Sequence, residues 1–335
     1  MSIQRPTNFF WAFAQKKQVD IFTAIAAASL NKSLPYREYT NAMLEKSISS
    51  DRLYFGKGHD FASRVDRTGH QFRFGRTFDA TSESLAWALS LLMGKVTTTG
   101  AGPIYQHVVE YESPLIIKEC LYTTIIEKAG SEYQNILSGV FLESVNLSAE
   151  GKENLTLALT ASGRQQTTNA TTMPSITKSV AFRSNHATFT FGASGTETAI
   201  SESVLRWNLA LASNPDVRWM PGQTSGEEHL IRYALTGAQT ISGSISLFLD
   251  STLRAAFLNH TQCGLTILCK GVSHVGHELK IEIPAFQISA EAHAVSGQTS
   301  ELTLTFNEDS VIKDDGVTGS PIKITLKNEI VSLLG

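Results

Sequence analysis

Residues 145–160 read Val145-Asn-Leu-Ser-Ala-Glu-Gly-Lys-Glu-Asn-Leu-Thr-Leu-Ala-Leu-Thr160, with apolar and small polar side chains alternating on both sides of Gly151. In a strand, successive side chains point to opposite faces, so this alternation is typical of a sheet with one buried face. A glycine between two alternating runs is a common hairpin signal. The stretch therefore predicts a β-hairpin whose apolar face packs on a core.

A second stretch of the chain repeats this pattern. It begins with Phe286-Gln-Ile-Ser-Ala-Glu291, continues through a longer turn, and ends with Leu302-Thr-Leu-Thr-Phe306. The tripeptide Ser-Ala-Glu occurs in both hairpins, at 148–150 and at 289–291. The sequence thus predicts two related hairpins, one in each half of the chain.

The segments before the two hairpins also correspond. In each half an alternating strand leads into a short apolar helix with a capping residue at its start, and a further strand follows. These segments are Phe72–Phe78, Ser82–Gly94 and Leu121–Glu127 in the first half, and Ile245–Leu249, Asp250–Leu258 and Leu265–Lys270 in the second. The same order of elements in both halves indicates a diverged internal duplication.

These patterns predict a mostly β fold with short helices (α+β), built from two tandem β-rich domains that each contain one short helix. The expected boundaries are 1–35 for an N-terminal arm, 36–165 for the first domain, 166–175 for a linker, 176–310 for the second domain and 311–335 for a C-terminal arm. We expect the two arms to lie on neighbouring subunits. Within the second arm, Ile322–Leu326 could supply a final strand.

Composition narrows the function. Charged residues make up 18% of the 335 residues, below the usual quarter, and the net charge is −3, so the basic footprint of a nucleic-acid binder is missing. Three cysteines are too few for a disulfide framework and predict buried thiols in a protein assembled in a reducing cytoplasm. No apolar run reaches the ~18 residues that would span a bilayer.

No motif of a nucleophile elbow, a P-loop or a dinucleotide site stands out, so we predict no enzyme and no cofactor. The nearest candidate for a metal site consists of His260, Cys263, Cys269, His274 and His277. Zinc could use such residues, but Cys263 and Cys269 flank a strand-like run that would hold them apart. We predict loop histidines and buried thiols instead. Glu227-Glu228-His229 follows a Gly- and Ser-rich segment and is interpreted as a solvated loop.

The repeated order of strand, long polar loop, strand, helix, strand and alternating hairpin resembles the tail tube proteins (major tail proteins) of long-tailed bacteriophages. The resemblance covers roughly residues 40–310 and depends on element order more than on a strict motif. It is carried by Gln71–Phe78, Ser82–Gly94, Tyr133–Thr160, Gly243–Leu258, Leu279–Phe306 and, within the last of these, Ile281–Ala285.

The resemblance implies a structural virion protein of the tail, assembled in the host cytoplasm. Its β-sandwich domains would close into a ring with an inner β-barrel, and stacked rings would form the channel for DNA delivery. Because each chain would carry two such domains, three chains could supply the six domains of a pseudo-six-fold ring. The implied partners are further copies of the chain and the tape measure, tail terminator and baseplate proteins; DNA would pass without specific binding, and no membrane is involved. Two alternatives remain: a baseplate or injection-machine tube component, and a two-domain β-sandwich that binds carbohydrate.

Two sets of residues follow from combining the resemblance with the alternation. The polar face of the hairpins is expected to line the lumen, and it comprises Ser144, Asn146, Ser148, Glu150, Thr156, Thr160, Gln287, Ser289, Glu291, Thr303 and Thr305. Two polar loops, Asp51–His70 and Asn214–His229, are expected to reach the adjacent ring. The charged residues predicted to make these contacts are Asp51, Lys57, Asp60, Arg64, Asp66, Asp216, Arg218, Glu227 and Glu228.

Overall fold

The computed structural model describes residues 9–35, 43–51, 64–112, 118–129, 133–168, 181–201, 203–219, 231–248, 251–271, 275–296, 299–311 and 320–335. The strands are β1 (Phe9–Phe13), β2 (Lys32–Leu34), β3 (Met43–Asp51), β4 (Arg64–Asp79), β5 (Gly94–Thr99), β6 (Tyr105–Tyr111), β7 (Thr123–Ala129), β8 (Tyr133–Glu150), β9 (Thr156–Thr168), β10 (Ala187–Ala193), β11 (Thr198–Ala199), β12 (Val204–Ala212), β13 (Asp216–Arg218), β14 (Tyr233–Leu235), β15 (Thr240–Phe248), β16 (Cys263–Lys270), β17 (Glu278–Phe286), β18 (Ala290–Ser296), β19 (Thr299–Phe306) and β20 (Lys323–Asn328). The helices are α1 (Ser82–Met93) and α2 (Ser251–Leu258), and short 3₁₀ turns occupy Ala27–Ser29 and Ser184–His186.

Eight antiparallel strands form one continuous run, which we call the long sheet, in the order β3-β4-β9-β8-β12-β15-β19-β18. The hairpin predicted from residues 145–160 is β8–β9, in which Leu147 lies opposite Leu157. The two halves of the chain meet where β8 pairs with β12, with Leu147 opposite Leu209. The long sheet therefore passes from one half to the other without a break in backbone pairing.

The same pairing order occurs in both halves of the chain. In the first half β4, β9 and β8 pair in sequence, and the other end of β8 pairs with β7, which pairs with β1 and then β2. In the second half β15, β19 and β18 pair likewise, and β17 pairs with β16, which pairs with β10 and then β11. A bulge between Leu142 and Ser144 divides β8 into the two parts that correspond to β17 and β18. Leu121–Glu127 and Leu265–Lys270 contribute β7 and β16, the corresponding strands that the sequence predicted.

A second sheet, in the order β11-β10-β16-β17-β20-β6-β5, joins strands of both halves. Its strand β20 comes from the C-terminal segment and lies between β17 of the second half and β6 of the first. Ile324 and Leu326 of β20 are fully buried. The segment predicted as a final strand is thus a strand.

The described parts of the two terminal segments, for which the sequence predicted arms on neighbouring subunits, pack within their own chain. Trp11 and Phe13 of β1 are buried, and their rings lie 4.9 Å from Phe74 and 4.6 Å from Trp87. Trp11 to Ala14 are buried in succession, and Ile324 and Leu326 are buried in β20, so both segments bury more surface inside their own chain than as free arms. Strands β1 and β20 therefore contribute to the core of the chain.

The two helices are buried to very different extents. Helix α1 has a capping box, in which the Thr81 side chain accepts from the Ser84 backbone N–H and the Ser84 hydroxyl accepts from the Thr81 N–H, and it ends at Gly94 with φ 83°. Every residue of α1 except Glu83 is buried, because the helix lies between β8 on one side and β5, β6 and β20 on the other. Arg254 and Leu258 of α2 are exposed. No helix in the described parts of the chain is long and apolar enough to cross a membrane.

A buried histidine links β20 to the first half. His107 Nε2 lies 3.1 Å from Asn328 Oδ1, and its Nδ1 lies 2.9 Å from the Thr98 hydroxyl, which suits a neutral ring that donates from Nε2. Burial lowers the pKa of His107 below its ordinary value. The folded chain therefore binds fewer protons than the unfolded chain below about pH 6.5.

Stability is accordingly expected to fall as pH drops below about 6.5, because the unfolded chain then binds a proton that the folded chain does not. Urea unfolding at pH 7.5 and pH 5.5 measures the change, and His107→Gln provides the comparison. The variant should lose less stability than the parent chain over this interval. An equal loss in both proteins would assign the pH dependence to other groups.

Candidate functional site

The most distinctive surface is the side of the long sheet that faces away from the core, which we call the polar face. On β8 it carries Ser144, Asn146 and Ser148, and the register places them opposite Thr160, Ala158 and Thr156 of β9. On the same strand, Val145, Leu147 and Ala149 lie on the opposite face and are buried. The alternation read from the sequence is therefore the alternation between the core and this face.

The polar face continues across the junction into the second half. Asn208 Nδ2 donates to Asn146 Oδ1 at 2.9 Å, which joins β12 to β8. Further along, the hydroxyls of Ser246 on β15 and Thr303 on β19 lie 2.8 Å apart. The remaining small side chains on this face of β12, β15 and β19 are Ala210, Ala212, Ser242, Ser244 and Thr305. The face is thus a surface of hydroxyl, amide and methyl groups.

Charges on the polar face lie toward the strand ends and are mostly paired. The guanidinium of Arg73 lies 2.8 Å from Glu143, and that of Arg206 lies 3.5 Å from Glu301. Glu150 is exposed beside Arg206 in the register of β8 with β12. Exposed pairs of this kind contribute little to stability, but they leave Arg73 and Arg206 each next to a carboxylate.

The polar face is concave where the two halves meet. A cavity of about 450 Å³ lies there, and its lining includes Glu150, Asn154, Arg206, Asn208 and Ser244. Its walls come from strands of both halves. The curvature is therefore a property of the joined sheet and not of one hairpin.

Eight of the eleven residues predicted for the lumen lie on the polar face, and three do not. Glu291 of β18 pairs with Leu304 and shares the helix side of the sheet with it, 3.4 Å from Arg254 of α2. Gln287 and Ser289 lie in the crossing between β17 and β18, outside both strands. The crossing changes the phase of the alternation, so counting by twos from Phe286 assigns Glu291 to the wrong face. Ala290, Ala292 and Ala294 occupy the polar face of β18 instead.

The polar face contains residues that the hairpin pattern alone did not indicate. These are Asn208, Ser242, Ser244 and Ser246, on β12 and β15. The alternation of small polar and apolar residues in 204–212 and 240–248 is the signal that could have revealed them.

The two predicted polar loops are shorter than expected. Asp51 ends β3, Arg64 and Asp66 lie within β4, and Asp216 and Arg218 lie within β13. Antiparallel pairing of β3 with β4 satisfies the backbone donors and acceptors of both strands. Such pairing requires no alternation of apolar residues, so the sequence pattern did not predict it. Lys57, Asp60, Glu227 and Glu228 lie outside the described residues.

The segment that follows the second loop, from Ile231 to Leu235, packs against the first half. The Cys120 N–H donates to the Ala234 carbonyl at 2.8 Å, and the Ala234 N–H donates to the Tyr122 hydroxyl at 2.8 Å. Ile231 is fully buried beside them. Burial raises the pKa of Cys120 to about 12, with the Glu119 carboxylate adding to the shift. This segment is therefore anchored within its own chain.

The candidate zinc residues are not brought together. Cys263 and Cys269 are both buried in β16, six residues apart, which is ~20 Å along a strand. Burial raises the pKa of Cys263 to about 11 and that of Cys269 to about 12. His277 Nδ1 lies 2.9 Å from the Ser82 hydroxyl at the start of α1, while His274 lies outside the described residues. Across the described ranges, no three His, Cys, Asp or Glu side chains are grouped so that they could hold a metal ion.

Comparison with known proteins gives one family. A family model described as phage tail tube protein matches residues 62–319, which is more than half of the chain. The match begins just before β4 and runs past β19, so it includes most of the polar face from both halves. A search of curated proteins gave no match.

Proposed function

Because the chain belongs to the phage tail tube protein family, we propose that it assembles with further copies of itself into stacked rings whose channel carries DNA during delivery. The family makes it a structural component of the virion tail. In the proposed ring the long sheet forms the inner wall and the polar face lines the channel. Two tandem domains, one from each half, build that wall.

The observation that carries this proposal is the polar face itself. It combines small hydroxyls and amides with arginines that are each paired to a carboxylate. Affinity for DNA comes mainly from cations that neutralise phosphates, and Arg73 and Arg206 of this face are already paired with carboxylates. Water bound to the hydroxyls can separate the duplex from the wall. Such a surface lets DNA slide instead of holding it.

The strand count supports a ring of several chains. With strands ~4.8 Å apart and tilted about 40°, an eight-stranded barrel is ~16 Å across at the backbone, and its interior is filled by side chains. One chain supplies eight strands to the long sheet. Three chains would supply 24 strands and a barrel ~48 Å across by the same geometry. A channel therefore requires more than one copy.

We propose three chains per ring. Within the chain the two halves are already neighbours in one sheet, through the pairing of β8 with β12. If first and second halves alternate around the ring, three chains close it. The ring then has three-fold symmetry, and its wall has pseudo-six-fold symmetry. Six chains per ring is the alternative, with the second half outside the wall. The tape measure protein inside the tube and the terminator and baseplate proteins at its ends are partners proposed from the family alone.

Added positive charge tests whether the polar face lines the channel. Ser148→Lys with Ser244→Lys should leave tubes intact and make them retain short duplex DNA at low salt, whereas unmodified tubes should retain little. Retention should fall steeply between 50 mM and 200 mM salt, because it depends on counterion release. Co-sedimentation of tubes with fluorescent duplex measures it.

The matched control places the same charges on the second sheet, with Thr97→Lys and Thr99→Lys on β5, both exposed. These tubes should retain DNA no better than unmodified ones. Equal retention by both lysine variants would mean that the polar face has no special access to DNA. Strong retention by unmodified tubes would contradict the sliding surface.

A further inference from the structure

The long sheet ends in two strands with one open edge each. Among the described residues, β18 pairs only with β19, and β3 pairs only with β4. An open strand edge presents unpaired backbone donors and acceptors and is a template for pairing with another chain. These two edges are the only ends of the eight-strand run, so any closed wall has to join them.

The internal repeat identifies which strands correspond. Aligning the first residues of the two helices, Ser82 and Ser251, places Phe78 of β4 opposite Leu247 of β15. Phe78 pairs with Leu157 of β9, and Leu247 pairs with Leu302 of β19. Leu157 therefore corresponds to Leu302. One further strand along, β8 corresponds to β18, with Asn146 matched to Ala292.

On the other side of each half, β3 corresponds to β12. Both pair with the strand that leads into the helix, and the same alignment matches Met43 to Ala210. The open edges of β18 and β3 are therefore the counterparts of β8 and β12. Those two strands pair with each other inside the chain, where Asn146 lies opposite Ala210.

Burial supports this correspondence. Leu147 and Ala149 of β8 lie beside the internal junction and are 0% and 6% exposed. Their counterparts on β18 are His293, which is exposed, and Val295, which is 77% exposed. Likewise α1 is buried, whereas Leu258 of α2 is 57% exposed. The end of the sheet at β18 thus lacks a cover that the equivalent surface in the first half possesses.

We propose that β18 of one copy pairs antiparallel with β3 of a second copy, in the register that places Ala292 opposite Met43. This seam rests on the proposed function and deepens it, since it names the strands and the register through which the ring closes. The second copy also covers Val295 and the exposed side of α2. The seam repeats the internal β8–β12 junction, so the wall continues with one pairing geometry throughout.

The seam between copies differs from the internal junction in its polar contacts. Inside the chain Asn146 accepts a hydrogen bond from Asn208, whereas the counterpart of Asn146 is Ala292, which has no polar side-chain atom. Glu291, on the helix side of β18, is held 3.4 Å from Arg254 of its own α2. Association at the seam therefore depends on backbone pairing and apolar cover more than on side-chain hydrogen bonds.

Paired cysteines test the register. Directly opposed residues of antiparallel strands are ~4.5–5.5 Å apart at Cα, within the range of a disulfide. Rings of Ala292→Cys with Met43→Cys should, after mild oxidation, run as covalent dimers and trimers on a non-reducing gel. Cys120, Cys263 and Cys269 are buried and will not compete. Asn146→Cys with Ala210→Cys is the positive control and should form its disulfide within one chain.

A shifted pair, Ala292→Cys with Ser47→Cys, should not link, because Ser47 lies four residues or ~13 Å further along β3. Rings that form normally but link only through the shifted pair, or through neither pair, overturn the seam and leave the proposed function standing. An unmodified protein that forms no rings overturns the proposed function and the seam together. Linkage of the first pair alone supports the register.

Discussion

Proline at one of two successive positions in β18 is expected to abolish ring assembly while the chain remains folded. Successive backbone N–H groups of an edge strand point alternately to the paired strand and away from it. Of Ala292→Pro and His293→Pro, one removes a donor to β19 and the other removes only a donor on the open edge. The second variant should keep its melting temperature and lose assembly.

The expected effect is large because every ring contains the seam three times. A lost backbone bond that leaves its partner unsatisfied costs about 1–3 kcal/mol, so three seams lose roughly 3–9 kcal/mol, or about a hundredfold or more in assembly. Light scattering after size exclusion measures the result. The parent protein should give rings of about 110 kDa, three times 36.5 kDa, or stacks of them, and the variant should elute near 36.5 kDa.

The control uses the free edge of the other sheet. Strand β5 pairs only with β6 in the described structure, and the proposed ring leaves its outer edge unused. Val96→Pro and Thr97→Pro should therefore include one variant that assembles like the parent. Normal rings from both β18 variants would show that this edge is not the seam.

Valine at Gly243 is expected to destabilise the core strongly. A Cβ at this position of β15 would lie 2.6 Å from the Asn208 carbonyl oxygen and 2.6 Å from the Phe306 ring. Phe306 is directly opposite Gly243 in the register of β15 with β19, and its ring covers the glycine. A similar contact occurs in the first half, where a Cβ at Gly163 would meet the ring of Phe72.

Because backbone and a buried ring would both have to move, Gly243→Val should cost about 3 kcal/mol or more. Differential scanning calorimetry should show a fall in melting temperature of roughly 5–10 °C. Gly75→Val is the matched control, since a Cβ at Gly75 on the polar face meets nothing within 4 Å. That variant should stay within about 0.5 kcal/mol of the parent. Similar losses at both positions would mean that the glycines are needed for another reason.

The local sequence pattern was sufficient to predict those elements that depend on residues close in sequence. The β8–β9 hairpin follows from alternation on both sides of a short turn, and α1 follows from a capped apolar run that ends at a glycine. The repeated order of elements was visible for the same reason, since each half repeats local patterns. Eight residues of the polar face were predictable because they belong to strands that keep a period of two.

Tertiary structure decided everything that depends on partners distant in sequence. The phase of β18 changes because residues 287–289 cross from one sheet to the other, and no local pattern records that crossing. Strand β20 pairs with β6, more than 200 residues away, so its place could not be read from its own residues. The unequal burial of α1 and α2 likewise depends on which strands cover them. Alternation specifies which side of a strand is apolar, but only packing between distant strands determines which side becomes core, which becomes the polar face and which edge stays open.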